Sequence, residues 1–451
     1  MSTNQASEQR QRVASAPPKA VVPSLVSRGE GWTIHTLENG LQVVTVPLPG
    51  VYSASVILYV KVGSRYESDE EAGISHLVEH LAFKGTPARP TPREIALAIE
   101  GVGGVFNANT SKELTTYWAK VAGVHVDRVL DVLFDMVRHS LFRPEDLATE
   151  KQIILEEIKE TLDIPHEVAA LACVRLLFPN HPLGRDVAGS QESVMRLSRG
   201  DVLAFVERTY RPNNVVLSVA GAVDPEETVE QVAGLVADWS PGPPVRFEPA
   251  PPLPPGPHVS AHARPVEQVQ LYVGLRGLSR RDGERYALTA LNTLLGESMT
   301  SRLFLRLREE LGVVYSVSSS VAFYADAGDL IVEAGTDAQH VPLVLSVIGE
   351  ELARLVNEPV PLEALNTAKE YLKGRLLLSL EDTYANASWY GSQVALDLEL
   401  VSPEAAMARL DAVTPEDVQR VAARLFRREN MVLSLVGPVD EEHDWAQYLQ
   451  V

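Results

Sequence analysis

Apolar positions recur along this chain with two distinct periods, and each period marks a kind of element. Around His76–His80 they fall at helical spacing, which predicts an amphipathic helix. The stretch Arg143–Ile158 predicts a second helix. Pro144 followed by Glu145 and Asp146 is a helix start with its acids set favourably against the dipole. Leu147, Ile153, Ile154 and Ile158 then form an inward stripe. The alternation in "NANTSKELTTYW" predicts an edge strand. Valine- and leucine-rich runs at 214–224 and 430–440 predict buried strands, each preceded by a helix.

Those last two runs are copies of one another. "NVVLSVAGAVD" and "NMVLSLVGPVD" agree at seven of eleven positions with an offset of 216, so the chain carries a duplication rather than a short-period solenoid. Between the copies, residues 241–257 contain nine prolines and predict a stiff extended connector. The expected organisation is a disordered tail at 1–30, a first domain at 31–240, a proline-rich linker at 241–262 and a homologous second domain at 263–445. The fold class that follows is α+β, with two homologous domains, each an antiparallel sheet carrying helices on one face.

Composition narrows the function. The chain has 451 residues, enough for two or more cores, and its formal net charge is -20, from 60 acids against 40 bases. Phosphate binding needs basic patches, so nucleic acid is an unexpected partner. No run of 18 apolar residues occurs, so no membrane span is expected. The first 28 residues are polar and lack an apolar h-region, which argues against a secretory signal. Arg10, Arg12, Lys19 and Arg28 with few acids nearby are a feature shared with organellar transit peptides; the expected compartment is the cytoplasm. Cys173 is the single cysteine and reads as a small core residue.

The candidate chemistry lies in the two predicted helices. In His76-Leu77-Val78-Glu79-His80 the imidazoles are four residues apart and share a face, with Glu79 about 60° from His76 around the axis. Two neutral imidazoles and a nearby carboxylate suit a hydrolytic zinc site in which Glu79 takes a proton from water. Taken alone, the pentapeptide also reads as a surface helix that happens to carry two histidines. A third ligand decides between these readings. Glu150 and Glu157 are two turns apart and fall on the isoleucine stripe, whereas Glu156 points away. Carboxylates there are costly to bury without a cation. Glu157 is therefore the expected metal ligand and Glu150 a supporting acid.

H-x-x-E-H is the inverzincin signature. With two glutamates seven apart some 75 residues later, the chain resembles the pitrilysin-like family of zinc peptidases, its processing-peptidase branch in particular. "TLENGLQVVTVPLPG", "GSRYE", "GISHLVEHLAFKGT" and "GGVFNANTSKELTTYW" carry the likeness, which runs over nearly the whole chain after residue 30. The resemblance implies one zinc ion per chain, held by His76, His80 and Glu157, with Glu79 and Glu150 catalytic. It further implies that Arg308 and Tyr315, in "LRLREELGVVYSVSSS", act on the substrate carbonyl, and that Asn107 and Ala108 belong to a substrate-binding edge. Read by residue chemistry alone, "REELG" is a helix end with a glycine cap, Tyr315 opens a strand, and Asn107 shapes a turn after Gly103-Gly104.

The second half has no H-x-x-E-H, and Arg375 falls near its counterpart of the ligand position. The resemblance implies that one chain forms half of a clamshell. A homodimer would complete the chamber, with Arg308 and Tyr315 serving the other subunit's site; a related but different subunit is the other partner expected. The expected function is zinc-dependent endopeptidase action on peptides or unfolded segments. The competing readings are a non-catalytic peptide-binding or scaffold subunit, whose relatives lack part of the zinc motif, and a metalloenzyme for small molecules.

Overall fold

The computed structural model describes residues 24–29 and 31–451. Its first sheet contains β1 (Ser24–Gly29), β2 (Trp32–Thr36), β3 (Gln42–Pro47), β4 (Ser53–Val60), β5 (Val105–Thr110), β6 (Thr115–Ala122) and β7 (Val215–Gly221). The second contains β8 (His258–Ala263), β9 (Val269–Arg276), β10 (Val314–Phe323), β11 (Gly328–Thr336) and β12 (Met431–Gly437). Helices of the first half are α1 (Ile74–Ala82), α2 (Pro92–Glu100), α3 (Val126–His139), α4 (Pro144–Asp163), α5 (Pro165–Leu177), α6 (Gln191–Arg196), α7 (Arg199–Thr209) and α8 (Pro225–Leu235). Those of the second are α9 (Arg285–Asn292), α10 (Val341–Asn357), α11 (Leu362–Ser379), α12 (Thr383–Ala395), α13 (Pro403–Asp411) and α14 (Pro415–Leu425), with wide helical turns at Thr293–Glu297 and Phe304–Glu310. The protein is a two-domain α+β fold. Among the described residues no helix is long and apolar enough to cross a membrane.

The duplication is visible in the strand order. The first sheet runs β1-β2-β3-β7-β4-β6-β5 and the second β10-β11-β9-β12-β8, so a five-strand unit recurs with the same neighbours. Each copy of the last strand follows a helix closed by a capping box. Ser198 with Asp201 starts α7, and Thr414 with Asp417 starts α14, again 216 residues apart.

Two details depart from the expected layers. The sheets are mixed, because β3–β7 and β8–β12 pair in parallel. In the first sheet β3 and β4 run in opposite directions. A strand returning between them, antiparallel to β4, is therefore parallel to β3. Helices also cover both faces of each sheet, and the second face takes its helix from the other half. Helix α12 packs Ala387, Tyr390 and Val394 on Val44, Ile57, Tyr59 and Val216. Helix α5 packs Ala169, Cys173 and Leu177 on Tyr272, Val432 and Val436. Strands covered on both faces, such as β7, are buried at every position for this reason. The close approach needs small residues: a Cβ on Gly391 would lie 2.4 Å from Ser218 Cβ, and one on Gly274 would lie 2.7 Å from Cys173 Sγ.

Segment boundaries shift accordingly. Of the expected tail at 1–30, residues 1–23 and 30 lie outside the described residues, while Ser24–Gly29 pairs with β2 as an edge strand. The last five residues of the expected linker at 241–262 belong to β8, whose hydrogen bonds to β12 draw them into the second sheet. The preceding proline-rich stretch is extended but bonded to both halves. Phe247 lies under the Arg65 guanidinium at 4.0 Å, and Glu248 O accepts from Arg65 (3.1 Å). Pro251 O accepts from Arg276 (3.0 Å).

The seam between the halves carries a buried ionic cluster. Arg65 follows β4, Arg280 follows β9, and Glu113 and Asp326 sit at the tips of the β5–β6 and β10–β11 hairpins. Arg65 pairs with Glu113 at 2.7 Å and with Asp326, and Arg280 pairs with Glu113. Each half thus supplies one arginine and one acid.

Candidate metal centre

Helix α1 starts at Gly73, whose φ of 92° lies in the left-handed region; a Cβ there would also meet Ala188 O at 2.6 Å. The amides of this first turn, which lack intrahelical acceptors, are met by buried Glu67, which accepts from Gly73 (2.9 Å) and Ser75 (2.8 Å). Burial pushes the Glu67 carboxyl up to about 7 in spite of those bonds. Ile74, Leu77, Val78 and Leu81 enter the core and fix the helix's rotation, which leaves His76 and His80 on its open side.

Helix α4 meets that side. Leu147, Glu150, Ile154, Leu155 and Ile158 are buried along it. Ile153, expected on the inward stripe, is exposed, and Leu155 is buried instead. Half-buried Glu157 turns its carboxylate to the histidines, with Oε2 4.0 Å from His76 Nε2 and 3.8 Å from His80 Nε2. One ligand atom from each of His76, His80 and Glu157 can be chosen so that all lie within 4.8 Å of one another. Ligands about 2.0–2.2 Å from a tetrahedral zinc would stand roughly 3.4 Å apart. The two contacts of Glu157 are a few tenths of an ångström wider, within reach of a small rotation of its side chain. Two imidazoles and a carboxylate suit zinc chemically, so the residues fit the ion.

The surroundings prepare the ligands unequally. Glu150 is buried, and its Oε2 lies 3.0 Å from His80 Nδ1 while Oε1 pairs with Lys84 at 2.6 Å. A carboxylate there accepts the Nδ1 proton and turns the Nε2 lone pair outward. His76 Nδ1 is buried and meets no hydrogen-bond partner among the described residues. Burial, with His80 adding to it, lowers the His76 imidazole to about 4, which keeps it neutral. Glu79 is buried and accepts a hydrogen bond from Thr110 Oγ1. Burial raises its carboxyl above the usual range, against the opposing Thr110 bond.

Asn107 and Ala108 lie in the middle of β5, an edge strand of the first sheet, not in a turn. Asn107 Oδ1 accepts from the Ala108 N–H at 2.8 Å, capping a backbone group of that edge with its own side chain. Arg308 and Tyr315 lie in the second half and are held there. Arg308 Nη1 donates to Val314 O (2.7 Å), and the Tyr315 hydroxyl to Asp337 (3.3 Å). Among the described residues no hydrogen bond or ion pair joins either to the triad. Arg375 occupies the place in α11 that Glu157 holds in α4, fourteenth from the first residue, and donates to the Tyr371 hydroxyl at 3.0 Å. Lys84 and Thr110 complete the surroundings of the site. Sequence reasoning passed over both; Lys84, four residues after His80, was the more accessible signal.

Known proteins resemble this chain over both halves. Residues 42–191 match the model of the insulinase family, peptidase family M16, and residues 196–372 match that of the peptidase M16 inactive domain. The chain belongs to peptidase family M16. Among its relatives, a Bacillus subtilis protein described as the uncharacterized zinc protease YmxG is 35% identical over 407 residues, 90% of this chain and 98% of the relative. A Rickettsia felis protein described as an uncharacterized zinc protease is 32% identical over 412 residues, 91% of this chain and 98% of the relative. The fold recurs in the crystal structure of a protease from Helicobacter pylori, with a TM-score of 0.85 at 22% identity, covering 93% of this chain and 100% of that one.

Proposed function

We propose that this M16 protein is a zinc-dependent endopeptidase acting on peptides or unfolded segments. One observation carries the reading: His76, His80 and Glu157 converge from two helices with Glu79 beside them. His76 and His80 would hold one zinc ion per chain together with Glu157. When bound, the ion would polarise the scissile carbonyl and make water more acidic. Glu79 takes the proton of the attacking water and returns it to the leaving amine. Glu150 keeps His80 oriented, and Lys84 pairs with the other oxygen of Glu150. An extended peptide would pair with β5, displacing the Asn107 side chain from the Ala108 N–H and aligning its backbone largely regardless of sequence.

Arg308 and Tyr315 would serve the site of a second copy, Tyr315 as a donor to the developing oxyanion. Tyr315 is 54% exposed, and both residues stand outside the contacts of their own chain's triad, which supports a homodimer as the working unit. Mixing His80→Ala chains with Tyr315→Phe chains should restore activity, and full activity in an isolated monomer would refute this arrangement. The peptidase reading itself is tested by Glu79→Gln. That variant should keep stoichiometric zinc and lose cleavage of a mixed peptide library; substantial residual turnover would overturn it.

A further inference from the structure

Thr110 is the last residue of β5, the strand whose free edge faces incoming peptide in the reading above. Its buried hydroxyl donates to Glu79 Oε2. The donor is fixed from several sides. Thr110 pairs with Thr115 in the β5–β6 ladder, and the Thr115 hydroxyl is bonded to Val62 O at 3.0 Å. The turn between them is closed by Ser111 Oγ on Leu114 O (2.9 Å), and Glu113 in that turn is bonded to Arg65 at 2.7 Å. A β-branched side chain on such a backbone has little χ1 freedom. A bond to one carboxylate oxygen sets the plane of the group and leaves Oε1 available.

We propose that Thr110 is a positioning residue: it holds Glu79 so that Oε1 meets the proton it must take. The same strand then docks the peptide and orients the base, so the two are aligned by one backbone. This inference rests on the peptidase reading of the site.

The test compares wild type, Thr110→Val, Thr110→Ser and Glu79→Gln in zinc content, thermal midpoint, kcat and KM on one peptide. Valine keeps the shape and removes the donor. Its kcat should fall about 10- to 100-fold while KM stays within about twofold, with zinc and midpoint unchanged. Serine restores the hydroxyl and should bring kcat back to within about threefold. A Thr110→Val kcat within about twofold of wild type overturns the proposal, and an inactive Glu79→Gln measured in parallel leaves the peptidase reading standing. Loss of zinc or early unfolding in Thr110→Val without rescue by serine also overturns it, as a structural role. Should valine prevent folding, Thr110→Ala takes its place with the same outcomes. If Glu79→Gln cleaves as fast as wild type, both readings fall.

Discussion

Replacing Glu113 by glutamine asks how strongly buried charge holds the two halves together. The Glu113 side chain is 5% exposed and accepts from Arg65, Arg280 and the Ala325 N–H. Glutamine keeps its size but offers one acceptor oxygen, and turns its own N–H groups toward a guanidinium. Removing one partner of a buried pair costs about 3–5 kcal/mol, mostly from the charge left behind. Arg65 retains Asp326, Glu248 O and the Phe247 ring, whereas among the described residues the Arg280 side chain keeps only Phe323 O, at 2.8 Å. With one of the two cations still compensated, the expected loss is at the lower end, about 3 kcal/mol. That is a large part of a domain stability of about 5–15 kcal/mol. Lys120→Ala provides the contrast, because the Lys120–Asp382 pair crosses the same seam with side chains 32% and 50% exposed. Screening by water limits that pair to less than about 1 kcal/mol. Urea unfolding followed by tryptophan fluorescence measures both variants against wild type. Equal shifts for the two, or a Glu113→Gln loss below about 1 kcal/mol, would refute the reasoning.

Two further substitutions probe the site and the packing. Glu150→Gln weakens the acceptor behind His80 Nδ1 and should lower zinc affinity about 10- to 100-fold in chelator competition; unchanged affinity would remove Glu150 from the ligand support. Gly391→Ala forces a methyl against Ser218 where α12 crosses the first sheet and should destabilise by about 1–3 kcal/mol in urea unfolding. Gly374→Ala, inside α11 where among the described residues nothing beyond the helix's own backbone lies within 4 Å of the new Cβ, should stabilise by about 0.5–1 kcal/mol.

Features set by local pattern were legible in the sequence. Four-residue spacing put His76 and His80 on one face of α1, and two-turn spacing put Glu150 and Glu157 on one side of α4. The offset of 216 located equivalent strands β7 and β12 and their preceding helices. Ile153 escaped that logic because a stripe inferred from spacing does not say how wide the contact is, and Leu155 is buried in its stead. The exchange of α5 and α12 between the sheets was not legible. Both are apolar helices, and nothing along either chain segment says which sheet it will cover. The ionic cluster was hidden for the same reason, since Glu113 meets Arg280 across 167 positions. Thr110 reads as an ordinary strand residue until α1 is packed beneath it.

The proposed activity requires a metal ion held between α1 and α4. Anomalous diffraction at the zinc edge from crystals of the zinc-loaded protein tests this directly. A single peak per chain, about 2.0–2.2 Å from His76 Nε2, His80 Nε2 and a Glu157 oxygen, is the predicted result. A peak elsewhere, or zinc bound with Glu157 turned away to solvent, would contradict it.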